Sequence, residues 1–199
     1  MKLNNKRTIL VGLAFLSICA FWQMYDSVVP LILTKTFHMN ETFSGAIMAA
    51  DNILALFLLP FFGSLSDRSH SKIGKRMPFI LFGTGCAVIL MNILPLLDNS
   101  YAAQPSGLKT ASFVIVLGLL LVTMGTYRSP AVALMPDVTP KPLRSRANAI
   151  INLMGAVGGI LYLGVAAVLY PNSKTAGLDH VNYQPLFIVV SAIMFIAIA

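Results

Sequence analysis

Charge is what this sequence has least of. Only 11% of its 199 residues are Asp, Glu, Lys or Arg, and just seven of those are acidic. A soluble domain carries about a quarter charged residues, so an ordinary water-soluble fold is excluded. Cysteine is nearly absent too. Cys19 and Cys86 both lie in apolar stretches, which leaves no disulfide framework. The three histidines, His38, His70 and His180, fall in polar connections without metal-ligand spacing, and no metal is expected. No nucleophile elbow, phosphate loop or HExxH motif occurs, so the sequence points to neither an enzyme nor a cofactor.

Hydrophobic residues make up 57% of the chain, and they are gathered into six runs. These cover about 9–33, 43–63, 79–97, 111–134, 147–170 and 183–199. A helix crossing the hydrocarbon core needs about 20 apolar residues, so the runs predict an all-α integral membrane protein with six transmembrane helices. The first run is too long for a signal-peptide core and contains Asp26, which argues against cleavage.

The formal charge of +7 would suggest a nucleic-acid partner in a soluble protein. Here the placement of the cations excludes that and orients the chain instead. Alternate loops put Lys2, Lys6, Arg7, Arg68, Lys72, Lys75, Arg76, Lys141, Arg144 and Arg146 on one side. Only Lys35, Lys109 and Lys174 fall on the other. The bias predicts a cytoplasmic N-terminus. The connections 98–110 and 171–182, rich in Gly, Pro, Ser and Asn, are predicted to be external loops. The sixth run stops at Ala199 with no flanking charge or aromatic anchor, as expected of a chain that continues in its natural form.

Ionised groups inside a bilayer are costly and normally face a cavity or a partner. Three stand within the runs: Asp26, Asp51 and Arg128. At 1.5 Å per residue, Asp26 and Asp51 lie about 7 and 3 Å to the outer side of mid-membrane, and Arg128 about 8 Å to the inner side. Two carboxylates at similar depth suit a shared, proton-coupled site. Arg128 lies within reach of Asp51, so mutual neutralisation that merely holds the bundle together is the plainer alternative.

Trp22 and Asp26 share a helix face at i,i+4, with Gln23 and Tyr25 beside them. An aromatic face next to hydrogen-bonding groups suits a sugar ring and other polar solutes. Asn52, Tyr127, Asn148 and Asn152 are further candidates for solute contact. Asn148 and Asn152 lie on one face that Gly155 and Gly159 continue, where small residues let another helix approach.

One polar segment stands out: Gly63-x-Leu65-x-Asp67-Arg68, followed after five residues by Gly74-Lys75-Arg76-x-Pro78-Phe79. It resembles the loop between helices 2 and 3 of the major facilitator superfamily. The longer spacing looks like that of the glycoside–pentoside–hexuronide cation symporters and the sucrose–proton symporters. A second stretch, Tyr127-Arg128-Ser-Pro130 through Asp137 to Arg144-x-Arg146-Ala-Asn148, is similar to the end of helix 4 and start of helix 5 there.

The resemblance implies that these helices are the N-terminal half of a twelve-helix transporter working by alternating access on a sugar, with H+ as co-transported cation. It implies a missing C-terminal half as partner alongside the lipid bilayer, and a gating role for Asp67, Arg68 and Arg76. Gly63, Gly74, Lys75, Asp137, Arg144 and Arg146 belong to the same loop motifs. An exporter or facilitator of the same fold for another small polar or amphipathic solute is the alternative.

Overall fold

The computed structural model describes residues 5–198. Lys2, counted among the loop cations, and Ala199, the end of the sixth run, lie outside the described residues. Every regular element among those described is helical. The first helix, α1, runs over Asn5–Leu31 and ends in a π-helical turn over Ile32–Thr36. It is followed by α2 (Glu41–Asp67), α3 (Met77–Ala103) and α4 (Gly107–Val138). A 3-10 turn at Lys141–Leu143 leads into α5 (Arg144–Leu169). A single-turn α6 (Asn172–Thr175) and the final α7 (Gln184–Ile198) close the described chain.

Five of these helices are long and apolar enough to cross a membrane. The sixth run forms α7, of which 15 residues are described, about 22 Å of helix. Several helices also overrun the apolar runs that announced them. Backbone N–H and C=O groups near lipid are best satisfied within a helix, so polar residues at the ends continue it. Gly63 therefore lies inside α2 rather than ending it, and the expected external loop 98–110 shrinks to residues 104–106. Pro78 does sit in the first turn of α3, where its missing N–H costs nothing. Asn40 caps α2 by accepting from the Thr42 N–H at 3.1 Å.

The bundle is built around α1, which packs against α4, α5 and α7, while α3 packs on α4 and α7. The core holds Phe21, Met24, Tyr25, Phe113, Tyr127 and Phe187, all nearly or fully shielded. Glycine sets the tightest approach. A Cβ on Gly158 would overlap the Leu16 carbonyl, and one on Gly155 would stand 2.9 Å from the Cys19 sulfur, so α5 lies directly on the backbone of α1. By contrast α2 leans on α4 alone of the long helices to any extent, with only Ser44 and Ser66 buried. Ile53, Leu56, Phe57 and Phe61 are exposed along it, a surface suited to lipid or to another apolar helix.

Candidate functional site

A small cleft opens between α1, α2 and α4, lined by Trp22, Asp51 and Arg128 over an apolar floor that includes Leu54, Leu58 and Gly125. Gly125 permits the approach, since a Cβ there would stand 3.2 Å from Leu58. The Arg128 guanidinium lies over the Trp22 ring, 5.3 Å from its centroid. None of the ion pairs among the described residues joins Arg128 to Asp51 or Asp26. The cation rests on an indole face, not on the carboxylate that the plainer sequence reading would have paired with it. Such a contact contributes about 0.5–2 kcal/mol, more as water is excluded.

Asp26 is exposed one turn along α1 from Trp22, and Asp51 lies close enough to act on it electrostatically. Asp51 lines the cleft and Asp26 does not. Asn52 belongs to Asp51: its Nδ2 donates to the Asp51 Oδ1 at 2.9 Å. Tyr25 is 1% exposed, wedged against Trp22 at 5.3 Å between ring centroids. Its hydroxyl and the Trp22 indole N–H are both buried without a hydrogen-bond partner. Orphaned donors of this kind are uncommon, and here two of them stand beside a cleft that holds a cation and a carboxylate. Gln23 is half-buried at the α5 side, near Gly159. Asn148 and Asn152 are exposed on α5, and no residue of α5 lines the cleft.

Tyr127 does not join this group. It is fully buried, with its hydroxyl 2.6 Å from the Ser17 Oγ and donating to the Ala14 carbonyl at 3.1 Å. Neighbours in a helix point about 100° apart, so with Arg128 at the cleft Tyr127 turns into the core and braces α4 on α1.

The loop motif forms a second cluster at one end of the bundle. Arg76 is 6% exposed and spans three elements. Its guanidinium meets the Asp67 carboxylate at 2.7 Å and the Asp137 carboxylate at 2.6 Å, and donates to the Ser66 Oγ at 3.2 Å. Lys75 stands 3.5 and 3.6 Å from the same two carboxylates. Gly74, at φ +106°, supplies the left-handed turn that brings both cations round. Arg144 donates to the carbonyls of Pro136 and Thr139, satisfying the open end of α4. Arg68 and Arg146 remain exposed.

Sequence reasoning missed Asp98. The sequence places it in an external loop, yet it lies inside α3 and is fully buried, near a half-buried His180.

A bundle of apolar helices that holds a few polar groups in an internal cleft, and ties one end with ion pairs around a buried arginine, is a multi-pass membrane protein. The chain belongs to the Major Facilitator Superfamily, whose family model matches residues 11–199. It is 34% identical over 145 residues to the sucrose transport protein SUC3 of Arabidopsis thaliana, covering 67% of this chain and 24% of that protein. The sucrose transport protein SUT3 of Oryza sativa subsp. japonica is 33% identical over 141 residues, 64% of this chain and 28% of that one. The alpha-ketoglutarate permease of Escherichia coli (strain K12) is 26% identical over 179 residues, 88% and 38% respectively. The chain thus spans about a quarter of the length of the sucrose transport proteins it matches. No solved structure matches it.

Proposed function

We propose that the chain is the N-terminal, six-span half of a twelve-helix secondary transporter that carries a sugar together with a proton by alternating access. Its N-terminus is cytoplasmic by the distribution of loop cations, and α7 is the sixth span. The observation that carries the reading is the cleft in which Arg128 stacks on Trp22 beside Asp51, with Asp26 exposed next to it. The aromatic face suits the C–H face of a sugar ring. The orphaned Trp22 and Tyr25 donors, Gln23 and the Asn148–Asn152 face suit its hydroxyls. Asp26 and Asp51, two carboxylates in one field, suit a group that takes up and releases a proton. The likeness to proteins named for sucrose transport supports the sugar.

The Asp67–Arg76–Asp137 cluster is the gate at the cytoplasmic end, fastened here and released when the helix ends part. One half offers only one wall of a cavity, so rocking of two halves is closed to it, and the 199 residues by themselves do not transport. The test is uptake of labelled sucrose by the full-length protein in proteoliposomes under a proton gradient. Asp26→Asn and Asp51→Asn each abolish accumulation while leaving thermal stability in place. If both variants still concentrate the solute, the coupling assignment fails.

A second reading, transport of another small polar solute by export or facilitation, is favoured by one observation. Arg128 has no carboxylate on it, which suits an anionic solute, and one relative is named as an alpha-ketoglutarate permease. Whether sucrose or a dicarboxylate raises the melting temperature of the full-length protein separates the two.

A further inference from the structure

At the end of the bundle away from the Arg76 cluster, the structure buries an acid that the transport site does not use. Asp98 is 0% exposed, and no well-formed hydrogen bond reaches either carboxylate oxygen, although the Thr36 hydroxyl is near enough to act on the group. The His180 Nδ1 stands 3.8 Å from its Oδ2 and 3.2 Å from the Thr36 Oγ1. The other ring nitrogen, Nε2, lies 3.0 Å from the Asn99 Oδ1, whose amide in turn donates to Asn182 at 3.0 Å. The cluster therefore ties three pieces together: the π-helical end of α1, the last turns of α3, and the connection between α6 and α7.

The other titratable groups nearby are few. Tyr183 is within the field of Asp98, with Tyr170 and Tyr162 behind it. From α4, Lys109 gives its ammonium to the carbonyls of Ser100 and Gln104. Lys35 and Asp179 are exposed, and α7 carries no charged residue. Asp98 thus has one countercharge to draw on, the His180 ring.

We propose that Asp98 and His180 form a proton-binding site that latches the segment before α7 to α1 and α3, and that the latch is held by a single proton shared between them. The acceptor at Asn99 calls for a hydrogen on Nε2. A second hydrogen on Nδ1 makes an imidazolium facing a carboxylate. Moved to the acid, it leaves Nδ1 to accept from Thr36 and Asp98 neutral. Both arrangements hold one proton. With none, a bare carboxylate is left buried and unpaired, which is strongly unfavourable.

The pH dependence follows by linkage. Once the segment detaches, both groups return to water, where above neutral pH a free carboxyl and a free imidazole hold no proton between them. There the latched state holds one proton more than the detached state, so latching weakens as pH rises. The opening constant grows about tenfold per pH unit for as long as the latched pair keeps its proton. Asp98→Asn removes the carboxylate that shares the proton, so this alkaline loosening disappears.

Hydrogen–deuterium exchange of the full-length protein in lipid nanodiscs, read on peptides covering residues 176–183 and corrected for intrinsic rates, tests this. Protection in the unmodified protein is expected to fall as pH rises between 6 and 9, while peptides around Arg76 stay constant. Protection that does not change from pH 6 to 9 overturns the proposal without recourse to any variant. So does an Asp98→Asn protein that keeps the alkaline loss.

Discussion

The Arg76 guanidinium donates to the Asp137 carboxylate over 2.6 Å, and this contact fastens the loop after α2 to the last turn of α4. Asp67 holds the same guanidinium from the other side. Arg76 is buried while the two acids are partly solvated, so the cation is the member that the cluster cannot lose. Arg76→Ala leaves Asp67 and Asp137 facing one another with only the exposed Lys75 between them. The expected loss is about 1.5–3 kcal/mol, the range for hydrogen bonds to charged groups, read as a lower melting temperature in detergent. Arg76→Lys keeps the charge without the planar fork and is expected to recover less than half of it.

The seam between α1 and α5 gives a graded second prediction. A Cβ at Gly158 meets backbone, the Leu16 carbonyl; one at Gly159 has only the end of the Gln23 side chain at 3.9 Å; one at Gly164 meets nothing within 4 Å. Gly158→Ala is therefore expected to cost about 1–3 kcal/mol by forcing the helices apart. Gly159→Ala should be near neutral. Gly164→Ala is expected to be neutral or stabilising by up to about 1 kcal/mol, since alanine is the better helix former. Thermal unfolding of the three variants side by side checks the order.

Much of this architecture is legible in the sequence because lipid leaves the backbone so few options. The apolar runs marked each long helix, and the Asp67–Arg68 and Gly74–Arg76 spacing marked the fastened loop. What escaped was direction around each helix. The buried residues of α3 include Ile80, Thr84, Ala87, Met91 and Leu94, and Asp98 is the next step in that series. A helical period carried past the last apolar residue would have placed Asp98 in the core rather than in a loop. The run itself ended at Leu97, because hydropathy measures which side chains dislike water and not where the backbone stops being helical. The stacking of Arg128 on Trp22 was also hidden. Sequence gives the depth of each group but not which of several partners at that depth it will meet.

Tyr127 supplies a third prediction that separates bracing from solute contact. Its hydroxyl is consumed by Ser17 and Ala14 inside the core. Tyr127→Phe is expected to cost about 0.5–1.5 kcal/mol of stability and to leave the KM for transported solute in the full-length protein unchanged. A large rise in KM with unaltered stability would place the hydroxyl in the cleft after all.

The contact between Arg128 and Trp22 leads to the last prediction. Arg128 is held near the indole face, with Asp51 in the same cleft but not paired with it. Removing the ring removes the surface that holds the cation and leaves Asp51, in the same cleft, as its charged neighbour. In Trp22→Ala the guanidinium is therefore expected to swing to Asp51, closing the cleft with an ion pair and silencing the carboxylate as a proton acceptor. Trp22→Phe keeps a smaller π-face and should retain most of the original arrangement. Loss of a contact of about 0.5–2 kcal/mol corresponds to a rise in KM of about 2- to 30-fold for the alanine variant. Proton-driven accumulation should fall further than KM alone explains, because coupling is lost along with binding. Adding Asp51→Asn to Trp22→Ala removes the carboxylate that captures Arg128, so KM is expected to recover part of the way while accumulation stays absent. A double variant that binds no better than Trp22→Ala alone would mean that the ring itself, and not the position of Arg128, is what the solute needs.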